Sequence, residues 1–176
     1  NIYKETTEDY RSDFRKKHIG MVYQQPNWVK SMTVVENVAF PMLLLGMERE
    51  EAIEKGYELL EQLKMREWGD YRPTELSGGQ QQRAALARSL ANNPEIIIAD
   101  EPTGNLDFQT GQEVMQLLLD LNKKQGKTVI MVTHDLEYIK YARSAIRMLD
   151  GVIAQQYGEK DIMGLLDHTK QKRGVI

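Results

Sequence analysis

Residues 96–133, IIIADEPTGNLDFQTGQEVMQLLLDLNKKQGKTVIMVT, decide the fold of this chain. The stretch opens on four apolar residues, 96–99, a pattern typical of a buried strand. A helix is predicted over residues 112–124 because apolar side chains recur on one of its faces, at Val114, Leu117, Leu118 and Leu121. Residues 128–133 predict the next strand. A strand, a helix and a strand in succession indicate an α/β fold with a largely parallel sheet.

The same alternation of helices and strands continues in both directions from this stretch. Thr33, with Glu36 three residues later, forms a capping-box pattern at the head of an apolar segment and predicts a helix start. Asp150-Gly151 predicts a hairpin turn. The predicted helices cover residues 8–17, 33–45, 50–64, 77–92 and 135–143, and the predicted strands cover residues 18–24, 145–149 and 152–154. Residues 66–73 are predicted to be a loop, and residues 158–176 a weak helix or tail.

Composition limits the classes of protein to which the chain can belong. Its 176 residues are enough for one domain with a sizeable core, and 41% hydrophobic with 28% charged residues is typical of a globular protein. The net charge of −3, from 23 basic and 26 acidic residues, argues against nucleic acid as a partner. Because the chain has no cysteine, disulfides and thiol catalysis are excluded, and a reducing compartment such as the cytosol is favoured.

The chain shows no sequence typical of membrane insertion or secretion. The longest apolar run, residues 38–47, is far shorter than the roughly 18 to 20 residues that span a bilayer. The first residues, NIYKETTEDY, lack the features of a signal peptide. Since the chain starts with Asn instead of Met, we expect it to be part of a longer polypeptide.

Residues 76–80, LSGGQ, form the most informative motif of the sequence. Ser77 and Gln80 match a capping box, while Gly78 and Gly79 expose backbone N–H groups at the positive end of a helix, a geometry that favours phosphate. The alternative is a capped helix that follows a glycine turn. Chance would produce these five residues with a probability on the order of 10^-4 to 10^-3 at average residue usage.

Polar residues also follow three predicted strands at what should be one edge of the sheet. Asp100 and Glu101 end the strand that begins at residue 96, Gln24 ends the strand of residues 18–24, and His134 follows residues 128–133. One carboxylate could hold Mg²⁺ and the other could activate a water molecule. Alternatively, the acidic pair ends a strand by chance and His134 is an ordinary hydrogen-bonded polar residue. The convergence of all four residues favours a functional site.

With these motifs in this order, the sequence resembles the nucleotide-binding subunits of ATP-binding cassette (ABC) transporters. The run ADEPTGNLD is most similar to the branch for lipoprotein release and macrolide export, and the resemblance covers about residues 8–155. It identifies LSGGQ with the signature motif and assigns four further motifs: the Q-loop to Gln24, Walker B to Asp100-Glu101, the D-loop to Asn105-Leu106-Asp107, and the switch histidine to His134.

One motif of that family is missing from the 176 residues. The pattern G-x-x-x-x-G-K-[ST] should precede Gln24, and residues 1–23 do not contain it. Gly126-Lys127-Thr128 lacks the first glycine and precedes a strand, so we interpret it as a helix cap and a turn. We therefore expect a truncated form of the family domain that has lost its Walker A portion and is inactive alone.

The resemblance implies a fold and a division of the chain. The fold is a P-loop NTPase-like three-layer core with a mostly parallel sheet and an inserted helical subdomain, without the N-terminal strand–P-loop–helix unit. Residues 1–25 would be the rest of the N-terminal part, residues 26–92 the helical subdomain with the signature, residues 93–155 the core with Walker B, D-loop and switch histidine, and residues 156–176 a C-terminal tail.

The resemblance also implies a mechanism for each motif. Two subunits would close head to tail around two molecules of ATP, and the γ-phosphate held by one subunit would contact the signature of the other, at Ser77, Gly78, Gly79 and Gln80. Asp100 would hold Mg²⁺ through water, Glu101 would activate the attacking water, and Gln24 would contact both metal and water. His134 would contact the γ-phosphate, and Asp107 would link the two sites across the dimer.

The resemblance further implies a permease partner at the cytoplasmic face of the membrane, docked on the helical subdomain. We expect most of residues 42–45 to pack inward, and the basic cluster Lys170, Lys172 and Arg173 to be a solvated end. Two alternatives remain. A soluble ABC ATPase that does not transport is disfavoured because only 52 positions (76 − 24) separate Gln24 from Leu76, too few for an inserted coiled coil. A non-catalytic regulatory module stays possible because Walker A is missing.

Overall fold

The structure, a computed structural model, describes residues 7–162. The chain divides into two units, Asn1–Val132 and Thr133–Ile176, and each is described by itself. The predictions for residues 163–176, including the basic cluster Lys170, Lys172 and Arg173, lie outside the described residues.

The helices and strands of the first unit follow in the predicted order, with three consecutive α-helices between the first and the second strand. The bounds agree with the predicted ones to within a few residues, except that the predicted loop of residues 66–73 contains one 3₁₀ turn, Arg66–Trp68, and the start of another, Pro73–Glu75. The elements in chain order are α1 (Glu8–His18), β1 (Ile19–Val22), α2 (Val34–Leu43), α3 (Arg49–Gln62), α4 (Gly78–Ser89), β2 (Ile96–Asp100), α5 (Phe108–Gln125) and β3 (Thr128–Val132).

The three strands form a parallel sheet in the order β1-β2-β3, which confirms the predicted α/β class. One face of the sheet is buried and includes Gly20 and Ile97. A Cβ on Gly20 would lie closer than 3.0 Å to the carbonyl oxygen of Ser89, so only glycine lets the end of α4 approach β1 this closely. The other face carries exposed apolar side chains on β3, with Ile130 49% and Val132 54% exposed.

The predicted capping box at the start of α2 is confirmed. The Glu36 backbone N–H donates to Thr33 Oγ1 over 3.3 Å, and the Thr33 N–H donates to Glu36 Oε2 over 2.9 Å. Helix α2 buries Met42 against α3. The expectation that most of residues 42–45 pack inward is wrong for the last two, because Leu44 (59% exposed) and Leu45 (40%) lie beyond the end of the helix.

Helix α5 begins at Phe108, four residues before the predicted start at residue 112. Asp107 is its N-cap, since its side chain accepts a hydrogen bond from the Thr110 N–H. The helix ends at Gly126, which has a left-handed φ of 69°, and this confirms the interpretation of Gly126-Lys127 as a cap and a turn.

The second unit contains a 3₁₀ helix and a hairpin. The 3₁₀ helix, Leu136–Tyr141, lies within the predicted residues 135–143, and the antiparallel strands are β4 (Ala145–Leu149) and β5 (Val152–Tyr157). Asp150 and Gly151 both have positive φ, at 49° and 79°, as the predicted two-residue turn requires. Strand β5 runs three residues past its predicted end at residue 154. In the described part of the chain, no helix has the length and apolar character needed to cross a membrane.

Candidate functional site

The ends of β1 and β2 place three of the predicted site residues in the first unit. Because β1 and β2 are paired in parallel from Ile19↔Ile96 to Val22↔Ala99, their carboxyl ends meet at one edge of the sheet. Asp100 is the exposed last residue of β2, Glu101 follows it, and Gln24 stands two residues beyond the end of β1. The predicted edge therefore gathers an amide and two carboxylates.

Gln24 lies against the turn that follows Glu101. A Cβ built on Gly104 would be 2.9 Å from Gln24 Nε2 and 3.5 Å from the Glu101 carbonyl oxygen, so the amide occupies the space that a larger residue at position 104 would need. The Gly104 N–H donates to the Glu101 carbonyl over 3.1 Å and closes the turn. The structure thus brings Gln24 next to the backbone that carries Glu101.

Glu101 itself has an uncommon backbone conformation. Its φ is +46°, in the left-handed region that residues other than glycine and asparagine rarely occupy. Its N–H still donates to the Val132 carbonyl over 2.9 Å, so the sheet pairing continues into this residue. The chain then turns away, which leaves the Glu101 side chain half-buried at the sheet edge while Asp100 stays exposed.

Residues 77–80 form the capping box that the sequence predicted. The Ser77 N–H donates to Gln80 Oε1 over 2.8 Å, and the Gln80 N–H donates to Ser77 Oγ over 3.4 Å. Ser77 and Gly78 are exposed, whereas Gly79 is buried. Because the cap uses the oxygen of the Gln80 amide, the NH₂ group is the part of this side chain that could donate to an anion.

The first turn of α4 rests on the segment that joins β2 to α5. A Cβ built on Gly78 would lie 3.6 Å from Leu106 Cδ2, an ordinary contact distance. A Cβ on Gly79 would lie closer than 3.0 Å to the Thr110 Cγ2 methyl group, so a larger residue at position 79 would force the Thr110 side chain to shift. The signature pattern and the D-loop pattern are therefore packed together within one chain.

Asp107 is held by two hydrogen bonds from Thr110. The Thr110 hydroxyl donates to Asp107 Oδ2 over 2.6 Å, and the Thr110 backbone N–H donates to Oδ1 over 3.0 Å. The hydroxyl bond first, and then the backbone bond, hold the pKa of the Asp107 carboxyl below its usual value. In the described structure Asp107 serves as a helix cap.

Sequence reasoning missed the residues that tie the loop after β1 to α4. Gln82, which is buried, donates through Nε2 to the Tyr23 carbonyl over 3.1 Å. The Trp28 indole N–H donates to Gln81 Oε1 over 3.1 Å. The loop that carries Gln24 is thus fastened to the helix that follows the signature pattern.

Arg88 makes three further contacts with this loop. It donates to the carbonyls of Pro26 and Asn27, the second over 3.4 Å, and its guanidinium lies 4.6 Å from the centre of the Trp28 ring. Burial lowers the pKa of the Arg88 guanidinium from its ordinary value. A signal in the sequence is that Gln82 and Arg88 stand on either side of the short apolar run of residues 84–87.

An open cleft of about 500 Å³ lies between the loop after β1, the start of α4 and residues 102–106. Polar groups from all three segments line it, including Gln24, Lys30, Gly78, Gln81 and Asn105. The cleft therefore joins three of the predicted motifs, the Q-loop at Gln24, the signature at Gly78 and the D-loop at Asn105.

His134 belongs to the second unit, Thr133–Ile176. Within that unit, the Asp135 N–H donates to Thr133 Oγ1 over 3.0 Å, and Asp135 Oδ1 accepts from the Glu137 N–H over 2.9 Å. The role of His134 at the phosphate stays a prediction. Among residues 7–162, no group of three His, Cys, Asp or Glu side chains could enclose a metal ion.

Comparison with protein families gives one match that covers more than half of the chain. The family model described as "ABC transporter" matches residues 1–104. The ABC transporter ATP-binding protein MJ1508 of Methanocaldococcus jannaschii is 46% identical over 149 residues, which are 85% of this chain and 66% of that protein. The macrolide export ATP-binding/permease protein MacB of Aggregatibacter actinomycetemcomitans is 39% identical over 170 residues, 97% of this chain and 26% of that protein.

Solved structures give the same picture of the fold. A dimeric structure of the ATP-binding cassette MJ0796 in a post-hydrolysis state, bound to ADP and Pi, superposes with a TM-score of 0.78 and 39% identity over 88% of this chain and 68% of that one. This likeness confirms the predicted P-loop NTPase-like fold. The chain spans just under two thirds of the length of the two M. jannaschii relatives, 66% of MJ1508 and 65% of MJ0796.

Proposed function

This chain belongs to the ABC transporter family, and its relatives include the lipoprotein-release and macrolide-export branch that the ADEPTGNLD run predicted. We propose that it is part of the ATP-hydrolysing subunit of a transporter. The observation that carries the proposal is the packing of Gln24 against the turn that begins at Glu101, beside a cleft that also reaches Gly78. An amide, two carboxylates and the start of a helix are among the groups that phosphoryl-transfer sites use around a metal-bound nucleotide.

Asp100, Glu101 and Gln24 would serve the hydrolysis of ATP. Asp100 is one exposed carboxylate at a strand end, and a single carboxylate with water and phosphate oxygens is the ligand set that Mg²⁺ favours in such sites. Asp100 would hold Mg²⁺ through water. Glu101 would orient and deprotonate the attacking water, and the Gln24 amide would contact both metal and water. His134 would contact the γ-phosphate.

The signature residues would act on the nucleotide of a second subunit. In a head-to-tail dimer, Ser77, Gly78, Gly79 and Gln80 would donate hydrogen bonds to the γ-phosphate held by the partner. Gly78 and Gly79 have no side chain, so their contribution would come through their backbone N–H groups. Asp107, on the adjoining segment, would link the two sites across the dimer. The dimeric MJ0796 cassette supports this arrangement for a chain 39% identical to it.

We further propose a permease partner at the cytoplasmic face of the membrane, docked on the helical subdomain of residues 26–92. Leu44 and Leu45, exposed at the end of α2, offer an apolar contact there. MacB, which carries ATP-binding and permease functions under one name, supports such a partner. Residues 93–155 would be the remaining ATPase core, and residues 1–25 the part that leads to Gln24.

The 176 residues by themselves are proposed to be inactive because they contain no G-x-x-x-x-G-K-[ST] sequence to cradle the phosphates. Calorimetry with Mg²⁺ and ATP should detect at best weak binding. Micromolar affinity would contradict this part of the proposal.

The central experiment uses a loop-complete form, defined as this chain joined downstream of a segment that carries such a loop. In that form Glu101→Gln should abolish turnover and leave ATP binding intact, so that an ATP-dependent dimer accumulates in gel filtration. Glu67→Gln, at an exposed residue of a 3₁₀ turn, is the matched control. Unchanged turnover in Glu101→Gln would show that another group activates the water.

A further inference from the structure

The Thr110 side chain makes two contacts that belong to different motifs. Its hydroxyl donates to Asp107 Oδ2 over 2.6 Å at the start of α5. Its methyl group, Cγ2, packs directly on Gly79 in the first turn of α4, where any Cβ would overlap it. Both branches of one short side chain are therefore engaged, which leaves it little freedom to change rotamer.

A second link lies one helical turn further along both helices. Arg83 Nη2 and Glu113 Oε2 are 2.9 Å apart, four residues after Gly79 and three after Thr110. The Arg83 end of this pair is about one-quarter exposed. The starts of α4 and α5 are thus joined at two successive levels, with Thr110 at the level of the functional glycine.

We propose that Thr110 is a positioning residue, which fixes the signature glycines relative to the Asp107 cap so that both move as one body. The hydrogen bond from its hydroxyl to Asp107 fixes the cap, and the contact of its methyl group with Gly79 fixes the start of α4 relative to that cap. The meaning of this coupling for ATP hydrolysis rests on the proposed function, but the coupling itself can be measured in the chain without nucleotide.

The test compares two matched variants by hydrogen exchange of backbone amides in the 176-residue chain. Thr110→Val keeps the methyl group and removes the hydroxyl, and Thr128→Val, at an exposed position of β3, is the control. Losing one net hydrogen bond should raise the opening of the affected turns about fivefold. We expect faster exchange at Thr110 and Gly111 and also at Gln80 and Gln81 of α4. An increase in amide exchange rates confined to α5, with unchanged rates at Gln80 and Gln81, would overturn the proposal.

A rescue experiment tests the methyl contact independently. Gly79→Ala should lower the melting temperature by about 2–12 °C, because the added Cβ overpacks against Thr110. Thr110→Ser removes only the methyl group, so adding it to Gly79→Ala should recover most of that loss. If the loss of melting temperature in the double variant equals the sum of the losses in Gly79→Ala and Thr110→Ser, the methyl contact does not position Gly79. Should Gly79→Ala fail to fold, recovery of a folded protein in the double variant gives the same answer.

The loop-complete form separates this inference from the proposed function. There Thr110→Val should lower kcat and leave KM for ATP nearly unchanged, because Thr110 would touch no nucleotide. If that form hydrolyses no ATP at all, the proposed function fails while the exchange result stands. If kcat is unchanged although α4 exchanges faster, the positioning role is overturned and the proposed function stands.

Discussion

Replacing Arg88 with methionine tests whether the loop that carries Gln24 depends on α4. The change keeps an apolar stem and removes a guanidinium that donates to the carbonyls of Pro26 and Asn27 and stacks on Trp28 at 4.6 Å. Hydrogen bonds from a charged donor contribute about 1.5–3 kcal/mol, and a partly desolvated cation–π contact about 1–2 kcal/mol. The desolvation cost that lowers the pKa of Arg88 offsets part of this. We expect a net loss of about 2–4 kcal/mol in the free energy of unfolding.

Urea unfolding followed by circular dichroism measures that loss, with Arg49→Met as the control. Arg49 pairs with Glu36 over 2.8 Å but its side chain is 74% exposed, so its removal should cost less than about 1 kcal/mol. In a Trp68→Phe background, tryptophan emission reports on Trp28 alone, since the chain has two tryptophans. The emission should shift in Arg88→Met. Equal stability of the two Arg→Met variants together with an unshifted spectrum would refute the anchoring role.

Three further predictions concern the start of α4 and the cap of α5. Ser77→Ala should lower the free energy of unfolding by about 0.5–2 kcal/mol through loss of the cap, measured by urea unfolding. Gly78→Asp should fold, because a Cβ at this position would lie 3.6 Å from Leu106, an ordinary contact distance. In the loop-complete form Gly78→Asp should lose ATP-driven dimerisation because its carboxylate would repel the phosphate, whereas the neutral Gly78→Asn should retain it. If both variants dimerise with ATP, the proposed phosphate contact is contradicted. The pKa of Asp107 is lowered in the fold by Thr110, so its carboxylate stabilises the chain above about pH 3.8 and this stabilisation is lost as pH falls further through the folded pKa. The stability advantage over Asp107→Asn should shrink in that range, and an advantage independent of pH would contradict the assignment.

Local signals in the sequence were enough to predict most elements of the fold. The Thr33 capping box predicted the start of α2, and the apolar segments at residues 96–99 and 128–133 predicted two strands of the parallel sheet. These signals could be read from the sequence because each acts within a few residues. Apolar periodicity alone predicted the start of α5 too late, because residues 109–113 of the helix are not apolar; Asp107, a residue type favoured at the N-cap, precedes the observed start. The outward direction of Leu44 and Leu45 could not follow from hydrophobicity alone, since it depends on where α2 ends.

The candidate site was predictable in its residue types and less so in its contacts. The parallel strands made the meeting of Gln24 and Asp100-Glu101 at one edge foreseeable. The anchoring of the Gln24 loop was not, because Arg88 and Trp28 are 60 positions apart (88 − 28) and nothing local marks them as partners. The burial of Gly79 depends likewise on Thr110, which lies 31 positions further along the chain (110 − 79).

Because the backbone at Glu101 is left-handed, selection for stability and selection for activity should favour different residues at position 101. A φ of +46° costs a residue with a Cβ roughly 1–2 kcal/mol relative to glycine, and asparagine also tolerates it. A library screened only for thermal resistance or protease survival should therefore enrich Gly and Asn at this position. The same library screened in the loop-complete form for transport or turnover should retain Glu. Comparing the enrichment of Gly and Asn with that of Glu in the two screens would measure how much stability is lost by having a carboxylate at position 101.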